Sequence, residues 1–329
     1  MPHPLTVAPK TNHASLLYSE LALDLDNLGK AHFAVLGMPF GAPYTPQDYN
    51  NEQTLAPAAI RQASDRVIRS PERFDFDIDG PLLQHRTDIR FIDCGDVPAD
   101  LADPRGHYAR AEAATRKILA AGAIPIVLGG DHGITNPILR AYDDQGPLTL
   151  VHIDAHLDWR DEVNGVKDGL SSPMRRASEL PYVKDIIQIG LRASGSARQE
   201  EADYARQWGA QIVTAYELHE IGMQAVLDRI PAGGRYYLTI DADGMDPTCM
   251  PAVAGPAPGG VTFTQMRTLI HGLVNKGRVV GMDIVEIQPS RDFNQMSCMT
   301  AGRLVLNLIG ASIRAGYFDG EQSSLLNRP

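Results

Sequence analysis

Eight short apolar or β-branched runs recur along the chain. They lie at 33–38, 89–93, 124–128, 148–153, 186–190, 211–213, 235–240 and 279–284. Helix-like stretches separate many of them, among them 108–121, where apolar side chains recur at helical spacing, and 196–208. Near-continuous apolar strands that alternate with helices are typical of parallel strands covered on both faces. We therefore predict an open, mainly parallel α/β sheet.

Irregular segments rich in proline and glycine follow two of these strands, at 39–57 and 247–260. Long loops at the carboxyl ends of strands usually frame a site. No linker or change of composition divides the chain. We predict a single domain over residues 1–329, with residues 1–30 as an N-terminal extension.

The composition limits the classes of binding partner and of metal site that the chain could have. There are 40 Asp and Glu residues against 30 Lys and Arg, and the formal charge of −10 disfavours nucleic acid or an anionic membrane and suits a cationic substrate. Three widely spaced cysteines without a CxxC pair suggest neither a disulfide framework nor a thiolate zinc site. The N-terminus has no secretory pattern, and no apolar run approaches a membrane span. We expect a cytoplasmic protein.

Gly129-Gly130-Asp131-His132 follows the run at 124–128. The two glycines allow a sharp turn that would point His132 into the crevice beyond the strand. By itself this motif is weak, because a histidine after a strand is often a hydrogen-bonded structural residue.

Asp154, His156 and Asp158 alternate directly after the run at 148–153. In an extended or turning segment, side chains at i, i+2 and i+4 project largely to one side, where they could hold a metal ion. A solvated acidic turn is the alternative interpretation.

Asp241 and Asp243 lie at the end of the run at 235–240. Two carboxylates at this spacing repel each other unless a cation lies between them, which favours a metal site. A turn or a helix start could also use such aspartates.

All three motifs lie at strand carboxyl ends, and together they offer four carboxylates and two imidazoles. This donor set suffices for two divalent ions, which can activate a water molecule for hydrolysis. A shell without cysteine favours manganese and tolerates nickel, cobalt or zinc. Glu286, after the last run, could form the paired hydrogen bonds that a planar guanidinium prefers, although a surface carboxylate is the plain alternative.

With these motifs in the same order, the chain resembles the ureohydrolase family, which includes arginase, agmatinase and guanidinobutyrase. The resemblance runs from about residue 32 to 320. It implies a three-layer αβα sandwich around an eight-stranded parallel sheet, hydrolysis of a small guanidino compound to urea and an amine, and a homotrimer or homohexamer, with a hetero-oligomer as a further option.

The resemblance also implies residue roles. One ion would be held by His132, Asp154, Asp158 and Asp241, and the other by Asp154, His156, Asp241 and Asp243. Asp154 and Asp241 would bridge the ions. Asp158 would relay a proton to the leaving amine, and Glu286 would hold the guanidinium head over the activated water.

Two departures from the family pattern bear on the substrate. The histidine that follows the third ligand in agmatinases and arginases is absent, and Asp168 lies near its expected position. The loop 39–46 lacks the acidic residue and arginine typical of agmatinases, so Phe40 and Tyr44 could line a different pocket. Arg160 could contact a carboxylate on the substrate tail, although an ordinary surface arginine is the default. We expect a substrate other than arginine or agmatine.

Two other function classes remain as alternatives. A zinc deacetylase of the related fold would use one ion and a pair of adjacent histidines, which this chain lacks. A non-catalytic or regulatory subunit of a hetero-oligomer would not need all six ligands, which this chain keeps.

Overall fold

Nine strands form one sheet in the computed structural model, which describes residues 5–9, 15–41, 44–45, 51–100, 103–194 and 197–320. The strands are β1 (Glu20–Leu21), β2 (Phe33–Met38), β3 (Phe91–Asp96), β4 (Ile124–Gly129), β5 (Leu148–Ile153), β6 (Val183–Leu191), β7 (Gln211–Thr214), β8 (Arg235–Asp241) and β9 (Arg278–Val285). Their order across the sheet is β1-β3-β2-β4-β9-β8-β5-β6-β7. Every pairing of these strands is parallel, which confirms the predicted sheet type.

The eight predicted runs correspond to β2–β9, and β1 is a ninth strand that the pattern did not reveal. Two residues are too short to produce a periodic signal, and β1 pairs with β3 at an edge of the sheet. It comes from the predicted N-terminal extension, where Leu16 and Leu17 are also fully buried. The described part of that extension therefore packs onto the domain.

Helices cover both faces of the sheet, as the resemblance implied. They are α1 (Ala56–Gln62), α2 (Ser64–Val67), α3 (Pro104–Ala120), α4 (Thr135–Arg140), α5 (Pro173–Ser178), α6 (Gln199–Trp208), α7 (Ala215–Arg229), α8 (Phe263–Lys276) and α9 (Met296–Arg314). Alternate strand residues face opposite cores: Val35 packs with α1, α2 and α7–α9, whereas Leu36 packs with α3–α6. The result is a three-layer αβα sandwich.

Among the described residues, one helical segment, Phe293–Arg314, is long and apolar enough to cross a membrane, but 83% of its apolar window is buried. It contains α9, whose side chains pack in the same core as Val35. Its composition is therefore that of a core helix.

The sheet order brings the predicted motifs together. β4, β9, β8 and β5 are consecutive strands, and all run in the same direction. His132, Glu286, Asp241 and Asp154 follow or end these four strands. They therefore lie side by side at one edge of the sheet, where parallel α/β folds place their sites.

Candidate metal centre

His132 is positioned by a turn that only glycine allows. A Cβ on Gly130 would lie 1.9 Å from the carbonyl oxygen of Phe40, so no larger residue fits there. The side chain of Asp131 then caps the following turn by accepting a hydrogen bond from the Gly133 N–H at 2.9 Å. His132 itself is fully buried.

Three carboxylates surround the ring of His132. Its Nδ1 lies 3.3 Å from Asp154 Oδ2, 3.0 Å from Asp158 Oδ2 and 3.2 Å from Asp241 Oδ2. Nevertheless, this buried nitrogen has no partner aligned for a hydrogen bond among the described residues. Donor atoms that converge without bonding to one another are the arrangement that a metal ion would complete, so the residues fit a divalent cation.

A second group of ligands adjoins the first. His156 Nδ1 lies 3.4 Å from Asp154 Oδ1 and 3.2 Å from Asp243 Oδ2. Asp154 therefore contacts both imidazoles through different oxygens, as a bridging carboxylate would. Asp241 contacts the His132 side, and its Oδ1 accepts the Asp243 N–H at 2.8 Å; its predicted bridging role stays a prediction.

The buried carboxylates of the cluster are stabilised only when positive charge lies among them. Burial, together with the charge of Asp154, raises the pKa of Asp158 to about 7. Burial, together with the charges of Asp243 and Asp154, also raises the pKa of Asp241. Hydrogen bonds to Asp154 and Asp243 raise the pKa of His156 to about 12. In the absence of metal, protons therefore provide the positive charge that the carboxylates need.

A chain of hydrogen bonds that the sequence did not reveal supports Asp154 from behind. Trp159 Nε1 donates to Gln188 Oε1 at 2.7 Å, and Gln188 Nε2 donates to His152 Nδ1 at 3.0 Å. Because Nδ1 accepts, the proton of a neutral His152 is on Nε2, which lies 2.8 Å from Asp154 Oδ2. His152 is therefore fully buried and at the same time hydrogen-bonded to a ligand of the cluster.

His132 has a similar support. Its Nε2 lies 3.0 Å from Thr239 Oγ1, which donates to Asp283 Oδ1 at 2.6 Å. Tyr237 and Thr135 donate to the other oxygen of this fully buried carboxylate, at 2.7 and 3.0 Å. A carboxylate within the apolar run of β9 was the one sequence signal for this network, since a buried charge requires partners.

The loop that carries Asp243 is held against Asp154. A Cβ on Gly244 would lie 2.4 Å from the Asp154 backbone nitrogen, so glycine permits this approach. The buried guanidinium of Arg192 donates to the carbonyl oxygens of Asp243, Gly244 and Met245. This contact fixes the loop and sets a positive charge behind the acidic cluster.

Glu286 lies within the same site. Its Oε1 accepts the His132 backbone N–H at 2.7 Å, and its own N–H donates to the Gly130 carbonyl at 3.0 Å. Glu286 and Asp158 have φ angles of 65° and 56°. Residues other than glycine rarely adopt this left-handed backbone region, and such backbone strain is commonly found at functional sites.

The predicted substrate contacts from loop 39–46 lie outside the ligand cluster, and Ala42, Pro43 and Pro46 lie outside the described residues. Phe40 is buried, with its ring 4.2 Å from the ring of His107. Tyr44 packs on Gly169, and its hydroxyl oxygen accepts the Ser171 N–H at 2.8 Å. Burial raises the pKa of Tyr44. Contact of either ring with substrate stays a prediction.

Arg160 and Asp168 have other neighbours. Arg160 Nε lies 3.8 Å from Glu201 Oε1 on α6. The carboxylate of Asp168 lies 3.5 Å from Arg140 Nη1, and among the described residues no hydrogen bond or ion pair joins it to the cluster. The structure therefore gives no support to a role for Asp168 in proton transfer, and that role stays a prediction.

A strand-end cluster of imidazoles and carboxylates in a three-layer parallel sheet defines a metal-binding α/β protein. The model of the arginase family matches residues 31–310. The chain therefore belongs to the arginase family, the ureohydrolases.

Three similar proteins show the range of this relationship. A guanidinopropionase of Pseudomonas aeruginosa is 33% identical over 227 residues, 67% of this chain and 71% of the relative. An N(1)-aminopropylagmatine ureohydrolase of Thermus thermophilus is 31% identical over 280 residues, 84% of this chain and 92% of the relative. The solved structure of proclavaminate amidino hydrolase from Streptomyces clavuligerus matches with a TM-score of 0.79 at 25% identity, and the match covers 96% of this chain and all of that one.

Proposed function

We propose that this chain hydrolyses a C–N bond of a small guanidino compound and releases urea and an amine. The observation that carries the proposal is Asp154, whose two oxygens contact the two imidazoles of the ligand cluster. Membership in the arginase family supports the same reaction, as do relatives named for guanidino substrates.

Two divalent ions held by His132, Asp154, Asp158, Asp241, His156 and Asp243 would lower the pKa of a bound water and so supply the nucleophile. Manganese is the proposed metal and nickel the next candidate, because the ligands are imidazoles and carboxylates without a thiolate. We also propose that the active protein is a homotrimer or homohexamer in the cytoplasm.

Two carboxylates of the site have proposed roles in this reaction. Glu286 pairs with the guanidinium and holds its carbon beside the ligand cluster, since its carboxylate is fixed by the His132 N–H. Asp158, buried beside His132, would accept the proton that the attacking water releases and pass it to the leaving amine. Burial excludes bulk water from both carboxylates and strengthens their interaction with a cationic substrate.

The substrate tail is proposed to differ from that of arginine or agmatine. Phe40 and Tyr44 occupy loop 39–46, where agmatinases carry an acidic residue and an arginine, and Arg160 would suit a carboxylate on the tail.

The test is urea release after reconstitution with manganese or nickel. The panel is arginine, agmatine, guanidinobutyrate, guanidinopropionate, free guanidine and substituted biguanides. We expect about two ions per chain, and turnover of one of the last four substrates. A clear preference for arginine or agmatine would refute the substrate proposal, and a chain that binds no metal would favour the non-catalytic subunit.

A further inference from the structure

A glutamine that the motifs did not include contacts the predicted guanidinium-binding carboxylate. Gln53 Nε2 donates to Glu286 Oε2 at 2.8 Å, while the other oxygen of Glu286 accepts the His132 N–H. Gln53 lies 233 positions away in the sequence, in the short 3-10 turn Glu52–Leu55 directly before α1. Glu286 is thus held between the metal-ligand turn and this segment.

The orientation of the Gln53 amide follows from its partner. An ionised carboxylate can only accept hydrogen bonds, so the amide nitrogen must face Glu286 and the amide oxygen must face elsewhere. That oxygen, Oε1, is buried and has no hydrogen-bond partner among the described residues, in a residue that is 5% exposed. Buried acceptors in native structures are nearly always satisfied, so an unpaired one beside a binding residue indicates a ligand donor.

The segment that carries Gln53 is fixed in place. Glu52 accepts a hydrogen bond from the Ser290 hydroxyl, in the segment that follows Glu286. Thr54 Oγ1, in the same turn, donates to the Asn51 carbonyl at 2.9 Å. The Gln53 oxygen is therefore held in position before any substrate binds, as recognition requires.

A guanidinium carries only donors, all in one plane, and in a substrate with a single alkyl tail each of the two terminal nitrogens has two N–H groups. A carboxylate can pair with the edge between the two terminal nitrogens, which leaves one further N–H on each of them. A neutral amide oxygen next to the carboxylate can accept that N–H without adding charge. The amide oxygen therefore distinguishes a guanidinium nitrogen that carries a hydrogen from one that does not, and it does not respond to the charge of the guanidinium.

We infer that Gln53 is a substrate-binding residue whose amide oxygen accepts a terminal N–H of the guanidinium held by Glu286, and that it selects substrates whose terminal nitrogens are unalkylated. This inference rests on the proposed function. A site that leaves a polar group unpaired when the wrong substrate binds discriminates strongly, so dialkylation of a terminal nitrogen is disfavoured.

The experiment compares guanidinobutyrate and agmatine with their analogues dimethylated on a terminal guanidinium nitrogen. Each analogue is assayed as a substrate by amine release and as a competitive inhibitor. In the wild-type protein we expect the parent compound to exceed its analogue in kcat/KM by at least about 100-fold. In Gln53→Leu, which keeps a similar volume but removes the oxygen, we expect the ratio to fall by at least about tenfold.

A purely structural role for Gln53 predicts another result. If the residue only positioned Glu286, Gln53→Lys, which keeps a nitrogen donor for Glu286 but removes the amide oxygen, would retain the wild-type ratio, and that result would overturn the inference. Gln224→Leu, at an exposed glutamine on α7, is the matched control and should leave both values unaltered. Metal content and melting temperature are measured for each variant.

Failure of this inference is distinguishable from failure of the proposed function. If the protein loaded with two ions released no urea or amine from any guanidino compound, the proposed reaction would be wrong. If it turned over a parent compound but accepted the dimethylated analogue equally well, only the role of Gln53 would be overturned.

Discussion

The ligand cluster and the surrounding rim of the site are built in different ways. His132, Asp154 and Asp241 come from the ends of buried parallel strands, and buried side chains hydrogen-bond to the first two, His152 to Asp154 and Thr239 to His132. The predicted rim residues Tyr44 and Arg160 come from loops and contact their own neighbours. The cluster thus carries the proposed reaction, whereas the proposed choice of substrate depends on the loop residues, and sequence alone is informative mainly about the first.

The sharpest test of this difference is Asp154→Asn. Asp154 contacts both imidazoles of the cluster, so losing its charge should remove ions from both groups of ligands. We expect a fall in kcat on the order of 10³-fold or more, with metal content below one ion per chain by elemental analysis. Asp143→Asn, at an exposed carboxylate paired with Arg116, is the control. Normal activity in the Asp154 variant would disprove its bridging role.

Glu286→Gln tests the boundary between cluster and rim. The variant loses the charge that pairs with a guanidinium but stays outside the proposed ligand set, so we expect two ions per chain and a loss in kcat/KM on the order of 10²-fold. Steady-state kinetics and elemental analysis measure the two effects. Equal turnover would refute its role in binding, and loss of metal would place Glu286 within the ligand set.

His152→Phe tests the support behind the cluster. The change removes the N–H beside Asp154 Oδ2 and the acceptor for Gln188. Loss of such a partner typically weakens metal binding by about 10- to 100-fold, which chelator competition would measure. His271→Phe, at a histidine on α8 that contacts Asn307, should not change metal affinity. An unaltered affinity in the His152 variant would show that the chain from Trp159 serves packing only.

The residues that support the ligands could not be predicted from the sequence, whereas the ligands themselves could. The strands β2–β9 and the ligand motifs were predictable because buried parallel strands are continuously apolar and their polar ends fall at one edge. Gln188 and Gln53 were not, because one lies in a strand and the other in a short 3-10 turn, and only the fold brings them to His152 and Glu286. Strand β1 was not predicted because a strand of two residues is too short to show an alternating hydrophobic pattern.

Metal affinity should depend on pH, because protons occupy the empty cluster. With pKa values raised to about 12 at His156 and about 7 at Asp158, the metal-free protein holds at least one proton at neutral pH that an ion must displace. Affinity should therefore rise with pH, by about tenfold per unit for each displaced proton between about pH 6 and 8. Calorimetry in buffers of different ionisation enthalpy counts these protons. An affinity that is constant over this range would contradict the protonated cluster.

The smallest effect is expected for Asp168→Asn, the rim counterpart of the Asp154 variant. The carbonyl oxygen of Asp168, which the substitution keeps, accepts hydrogen bonds from Tyr108 and Asn136, while its partly exposed carboxylate only approaches Arg140. An exposed ion pair of this kind contributes about 0–1 kcal/mol, so kcat should change by less than about fivefold. The measurement is kcat across pH with its solvent isotope effect. A loss of more than about tenfold in kcat with full metal content would mean that metal binding is intact while proton transfer has slowed. That result would establish Asp168 on the proton path and would show that residues outside the ligand cluster take part in the reaction.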